Sequence, residues 1–204
     1  MTKNRSKNET KRKQILASAT HLFTEQGYAS TSMALIAKHA DVSKQTVYSH
    51  FGSKEELFSA AIEQKCDSSI LLDFAQVTLT DPHATLLAIA KRFFAMITSK
   101  EALAVHKICA FEAKSYPQLS ELFYQAGPER LTAEMAKLLV EFNDKGLLSI
   151  ENPHFAATQF LHLVKGEAWM RIEFNTQYQL SEQQIDQYIS SSVDLFLRGY
   201  APIN

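Results

Sequence analysis

Two places in the chain hold side chains whose types and spacing suit chemistry. His106 and Cys109 stand three residues apart. On a helix they share one face, and an imidazole beside a thiol is the base and nucleophile pair of a Cys/His-dependent enzyme. That chemistry also needs an exposed, electropositive thiol and a third group to orient the base, and a buried cysteine on an apolar helix is the plainer reading. No glycine-rich phosphate loop, nucleophile elbow or paired-carboxylate motif accompanies the pair. The second place is VSKQTVYSHF, Val42 to Phe51. At 100° per residue, Val47 and Phe51 point together, Gln45 and Ser49 point away, and Thr46 and Tyr48 flank them. Gln pairs bidentately with adenine, a Thr methyl packs on a thymine methyl, and Lys or Tyr reaches phosphates, so this face suits the major groove of double-stranded DNA. The first helical turn carries Lys44, Gln45 and Thr46, where a recognition helix meets base edges. Ser43, Tyr48, Ser49 and His50 complete the candidate surface.

The elements that must position these residues are helical. Ile15, Ala19, Leu22 and Phe23 recur at helical spacing between Thr10 and Gln26, with Gly27 as a stop. Ser32 caps a second helix through Ala40, a break at Asp41, Val42 and Ser43 follows, and Ser43 caps a third helix from Lys44. Ser53 to Glu56 reads as a capping box opening a longer helix with Leu57, Phe58, Ala61 and Ile62 on one face. Ser32 and Lys54, each at a helix N-terminus, join the candidate DNA contacts because such ends hold phosphate. Further starts at Asp81-Pro82, Asn152-Pro153 and Ser181, with Gly146 and Gly199 as stops, predict helices near 82–99, 101–115, 118–145, 153–175 and 182–199. Gly127-Pro128 should kink or break the third of these. No strand alternation or repeat appears, so an all-α chain of about nine helices is expected.

Charge divides the chain. Up to Lys54 there are nine Lys and Arg against three Asp and Glu, and the rest carries 12 against 19, so a formal net charge of -1 hides a basic head on an acidic body. That layout suits a nucleic-acid reader with a second module, and argues against a nonspecific nucleoid protein, which needs a basic surface throughout. Residues 1–9 read as a basic arm able to track the backbone or a minor groove. MTKNRSKNETKRKQ lacks the apolar run of a secretory signal, and no stretch approaches the roughly 18 apolar residues of a membrane span, so a cytoplasmic protein without a membrane partner is expected. Two cysteines make no disulfide framework, and the seven histidines form no His-x-x-x-His pair; neither a metal nor a cofactor is expected.

Residues 10–60, above all ADVSKQTVYSHFGSKEELF from Ala40 to Phe58, resemble the N-terminal DNA-binding domain of the TetR family of bacterial transcriptional regulators. The spacing of Phe23, Gly27, Ile36, Ala37, Val42, Ser43, Tyr48, Phe51, Lys54 and Leu57 agrees with the family. The resemblance implies a helix-turn-helix with recognition helix 44–50, and Tyr48 and Lys54 as phosphate contacts. Two positions depart from the family's pattern: Asp41 stands where Gly is frequent, and Leu35 replaces the acid that would complete a box with Ser32. FEAKSYPQLSELFYQAGPERL, from Phe111, and QFLHLVKGEAW, from Gln159, resemble the C-terminal domain of the AefR-type subgroup. That resemblance implies that 61–204 form a helical regulatory domain that dimerises and encloses a small-molecule effector, with repression as the usual outcome.

Candidates follow for both tasks. Ligand-lining candidates are Phe93, Phe94, Ile97, His106, Cys109, Phe111, Tyr124 and Met135, although aromatics at helical spacing are also ordinary core. Dimer candidates on the last two helices are Phe160, Val164, Trp169, Ile185, Tyr188, Ile189, Ser192 and Phe196. On the wheel Trp169 falls with Thr158, His162 and Lys165, away from the apolar faces, where a monomer would leave it wet. Control of DNA binding by oxidation of Cys66 or Cys109, or by a protein partner, stands beside the small-molecule reading.

Overall fold

Side-chain caps set the helix starts. Ser32, Ser43, Asp81, Asn152 and Ser181 each accept the backbone N–H three residues on, satisfying a donor that the first turn leaves without a partner. Pro82 and Pro153 follow two of these caps, where a missing N–H costs nothing. The computed structural model describes residues 2–66, 80–115 and 117–202. Among them all regular structure is helical. The elements are α1 (Thr2–Ser30), α2 (Met33–His39), α3 (Lys44–Phe51), α4 (Lys54–Cys66), α5 (Pro82–Ile97), α6 (Lys100–Glu112) and α7 (Pro117–Tyr124). A π-helical turn (Gln125–Glu129), α8 (Arg130–Asp144), α9 (Pro153–Glu173) and α10 (Glu182–Gly199) complete the chain. The break expected at Gly127-Pro128 is this π-helical turn, where Pro128 has no N–H to continue the α-helical ladder. Helical backbone in α1 begins at Thr2, so residues 2–9, expected as an arm, continue the helix.

Three ends share one device. The N–H groups of Asp41 and Val42 return to the carbonyls of Lys38 and Ala37, those of Gly146 and Leu147 to Asn143 and Phe142, and those of Asn175 and Thr176 to Ile172 and Arg171. This Schellman pattern needs a left-handed residue after the cap. Asp41, Gly146 and Asn175 supply it at φ 51, 69 and 50. Gly199, expected as a stop, is instead the last residue of α10.

The chain forms two compact units, residues 1–65 with 100–127, and 66–99 with 128–204. In the first, α1 packs on α2 and α6, α2 on α3, and α6 on α7. Its core holds Phe23, Tyr28 and Phe58, with ring centroids 5.2 to 5.7 Å apart, beside Ile15, Ile36, Val47 and Leu57. Buried Thr31 donates to the Gly27 carbonyl at 2.8 Å, where the backbone leaves the helix at Gly27, φ 83 and ψ 170. In the second unit α9 lies against α5, α8 and α10, and α10 also packs on α5. Leu86, Leu139, Phe142, Phe160, Val164, Ile189 and Phe196 fill its core. The pairs His83–Asp194 and Lys91–Asp186, both at 3.1 Å, join α5 to α10 at the surface.

Helix α9 is interrupted at Gly166, φ 51 and ψ -163. A Cβ there would collide with the Tyr188 ring, and the Tyr188 hydroxyl donates to the Leu163 carbonyl at 2.9 Å. Tyr188 therefore occupies the break and satisfies a carbonyl beside it. Beyond the break the helical wheel loses its phase. Trp169, which the wheel left wet in a monomer, is half-buried within one copy, with the Lys165 ammonium 4.8 Å from its ring. Burial pushes the Lys165 pKa below the ordinary lysine value, and the nearby Glu173 charge opposes that shift.

Candidate nucleic-acid interface

The helix-turn-helix is built from short-range devices. Helix α2 ends at Ala40, Asp41 turns the chain, and Ser43 starts α3 by accepting the Thr46 N–H at 3.1 Å and sharing a 2.8 Å hydrogen bond with the Thr46 hydroxyl. Val47 and Phe51 are buried in the first unit's core, which fixes the opposite face outward. Lys44, Gln45, Tyr48 and Ser49 are exposed; Thr46 and His50 are half-buried. Ser49 donates to the Thr46 carbonyl at 2.9 Å, and the Lys44 ammonium stands 5.7 Å from the Tyr48 ring. The Gln45 amide has no hydrogen-bond partner among the described residues.

At the far end of α3 the chain turns sharply. The Phe51 carbonyl accepts the Ser53 N–H at 2.6 Å across Gly52, whose φ 66 and ψ -66 form a γ-turn with positive φ. The positive φ of Gly52 is what favours glycine there; a Cβ would meet only the end of the flexible Glu56 side chain, which can move aside. Ser53 then accepts the Glu56 N–H at 3.0 Å and starts α4. Lys54, half-buried, places its ammonium 4.0 Å from the Tyr28 ring, while the Tyr28 hydroxyl donates to Glu55 at 3.0 Å. Its own backbone N–H, then the Tyr28 and Ser53 hydroxyls and the Lys54 charge, hold the Glu55 carboxyl below the ordinary glutamate value; partial burial acts the other way. Ser32 lies exposed at the start of α2, accepting the Leu35 N–H at 3.1 Å.

The nine candidate DNA residues thus lie on α2, α3 and the start of α4, with their polar atoms at or near the surface. Two residues that sequence reasoning passed over belong beside them. Tyr28 carries Lys54 and Glu55, and Arg12 reaches the end of α3. Arg12 had a signal: it extends the stripe of Ile15, Ala19 and Leu22 one turn upstream.

Other candidates are distributed differently. Phe93, Phe94 and Met135 are buried in the second unit and Ile97 is half-buried. In the first unit Cys109 is buried with its thiol 3.9 Å from the Leu119 carbonyl, and His106 meets Phe123 edge to face. A thiol so enclosed suits a small core residue rather than a nucleophile. Phe111 and Tyr124 are 92% and 58% exposed, so as placed they line no ligand cavity. Phe160, Val164, Ile189, Ser192 and Phe196 are buried inside their own unit, Phe160 against Phe196, and have no surface to offer a second copy. Trp169 and Ile185 are half-buried and Tyr188 is 37% exposed. The Cys66 side chain lies outside the described residues. Among the described residues no group of three or more His, Cys, Asp or Glu is arranged to hold a metal, and no helix is long and apolar enough to cross a membrane.

Comparison with known proteins agrees with this geometry. Residues 15–61 match the model for bacterial regulatory proteins of the tetR family, and residues 84–202 match the AefR-like transcriptional repressor C-terminal domain. A curated relative, the HTH-type transcriptional activator FasR of Mycolicibacterium smegmatis, is 36% identical over 95 residues, 46% of this chain and 43% of its own. The chain thus spans less than half the length of that relative. The solved structure of the flavonoid-responsive regulator FrrA is 33% identical, covers 96% of this chain and 100% of its own, and superposes with a TM-score of 0.74. A protein of Mesorhizobium loti MAFF303099 assigned to the TetR family superposes at 0.78 with 28% identity, over 95% of this chain and 98% of its own. With its helix-turn-helix at the N-terminus and the repressor-type helical domain behind it, the chain belongs to the TetR family of transcriptional regulators, which are DNA-binding proteins and not enzymes.

Proposed function

We propose that the protein is a dimeric repressor that reads a palindromic operator with α3 of each copy and releases it when a small, largely apolar ligand binds the C-terminal domain. The observation that carries the DNA reading is the Gln45 amide, exposed and unengaged on the first turn of a helix whose other side is anchored by Val47 and Phe51. Lys44, Thr46, Ser49 and His50 flank it at the groove, and Ser32, Ser43, Tyr48 and Lys54 meet phosphates. Repression is supported by the AefR-like repressor domain across 84–202. A ligand-responsive body is supported by FrrA, which responds to flavonoids, and Phe93, Phe94, Ile97 and Met135 supply apolar and aromatic surface suited to such a molecule.

A second copy meets the surface that α9 and α10 keep exposed, with Tyr188 and Leu195, 37% and 52% exposed, as anchors. Two-fold symmetry then presents two recognition helices to two half-sites. Ligand favours a state in which α4 swings and the half-site spacing is lost, to the extent of its differential affinity for the two states. Selection of the purified protein against random duplexes at about 150 mM salt tests the reading, because weak nonspecific binding is suppressed there. The expected result is an enriched palindrome from which Gln45→Ala loses about 1–3 kcal/mol of discrimination at one position per half-site. Equal loss of specific and nonspecific affinity would remove Gln45 from base reading, and no enrichment from a folded, ligand-free dimer would end the proposal.

A further inference from the structure

Arg12 lies in the basic N-terminal segment whose charge suits DNA, but its guanidinium is engaged within the protein. Its Nη1 donates to the His50 carbonyl at 3.3 Å, and its Cζ stands 4.3 Å from the centroid of the Phe51 ring. Both contacts fall on the last turn of α3. There the Tyr48 carbonyl takes the Gly52 N–H at 2.8 Å and the Phe51 carbonyl takes the Ser53 N–H at 2.6 Å. His50 lies between these two, at an end whose carbonyls have no donors further along the same helix, and Arg12 brings it a donor from α1. A cation at a helix C-terminus is favoured by the backbone dipoles, and a planar guanidinium over an aromatic face adds a contact that depends on its orientation.

An eight-residue helix is too short to hold its own orientation. Val47 and Phe51 anchor α3 to the core from one side, and the Arg12 contacts bind its end to the longest helix of the unit. Orientation matters to the reader at the other end. With a helix rim roughly 5–6 Å from its axis, a rotation of about 10° moves the outer part of a side chain by about 1 Å. That is enough to degrade a bidentate base contact, whose hydrogen-bond lengths vary over only a few tenths of an ångström.

We propose that Arg12 is a positioning residue for sequence discrimination: it acts on DNA through α3, holding the angle at which Gln45 meets a base edge, rather than through a phosphate contact. The inference rests on α3 being the recognition helix. Arg12→Ala, Arg12→Gln and Arg12→Lys in the full chain test it through three readouts. These are affinities for the selected operator and a shuffled duplex over a range of salt, melting temperature, and amide hydrogen exchange across residues 44–52 without DNA. For Arg12→Ala the expected result is a roughly tenfold lower ratio of operator to shuffled affinity, an unchanged salt slope and faster exchange in the last turn of α3. Arg12→Lys keeps the charge without the planar fork and recovers little of the ratio; Arg12→Gln, with a planar amide that can donate to His50, recovers more. Melting temperatures identify any variant that loses its fold, and Arg12→Gln and Arg12→Lys then carry the test.

Three results would overturn the inference. One is a salt slope shallower by about one, with both affinities falling alike and Lys restoring them, which makes Arg12 a phosphate contact. Another is an unchanged ratio and exchange, which leaves Arg12 no role. The third is full rescue of the ratio by Arg12→Lys. Failure of the underlying reading has its own signature: the wild-type protein selects no duplex, whatever exchange shows about the end of α3.

Discussion

Glu55 shows how closely the N-terminus of α4 is tied to α1. Its carboxyl accepts from Tyr28, the same residue whose ring faces the Lys54 ammonium, so one buried tyrosine holds both charges at the entrance of the helix. A carboxyl with a lowered folded-state pKa contributes stability that is fully present above the ordinary glutamate value. That contribution is lost as pH falls through the lowered value. Tyr28→Phe removes one of the groups lowering it, so the variant should melt lower than wild type at pH 7, with the gap narrowing below about pH 4. No gap at any pH would show that Tyr28 stabilises only through its ring, and a gap independent of pH would show that its hydroxyl acts other than through the Glu55 charge. At this scale the sequence was legible where a property is local. The caps at Ser32 and Ser43, the left-handed Asp41 and the inward pair Val47 and Phe51 all follow from near neighbours. Arg12 on His50 spans 38 residues and Tyr28 on Glu55 spans 27, and no periodicity encodes which distant partner a side chain finds.

Helices are where periodicity should serve best, and α9 shows its limit. The wheel assumed one continuous helix over 153–175, but the φ 51 of Gly166 separates the two halves, so faces assigned beyond it were rotated. The sequence held a clue, a glycine inside an apolar helix, whose reason is the Tyr188 ring of α10. Gly166→Ala should destabilise the protein by about 2–4 kcal/mol, combining a left-handed backbone with a collision. Tyr188→Phe, which loses only the bond to Leu163, should cost about 1 kcal/mol. Thermal unfolding of both variants checks this, and a Gly166→Ala protein as stable as wild type would mean that the break does not depend on glycine. The burial of Phe160, Val164, Ile189, Ser192 and Phe196 has a related origin. An apolar stripe announces that something covers it, and here α9 and α10 cover each other.

For the molecule as a whole, the helical class and the reader at the N-terminus were legible from caps, spacing and the split of charge. The placement of α6 and α7 was not. In the first unit α6 packs on α1, joined at the surface by Lys100 and Glu25 at 2.8 Å, and α7 packs on α6, although more than 30 residues separate α6 from α4 in sequence. Association of two copies is tested at an exposed anchor, since a buried one would unfold the subunit. Leu195→Glu should leave melting of the isolated subunit nearly unchanged, shift the protein to monomer in sedimentation, and weaken operator binding by at least tenfold. A dimer of unaltered affinity would place the contact on another face.

The chain contains a single tryptophan, and it lies just past the interruption of α9 with the Lys165 ammonium 4.8 Å from its ring. Intrinsic indole emission from this protein therefore arises at one site. It reports the half of α9 beyond Gly166 and is sensitive to the charge stacked on it, so events there can be followed optically without a label, while the helix-turn-helix contributes no indole emission.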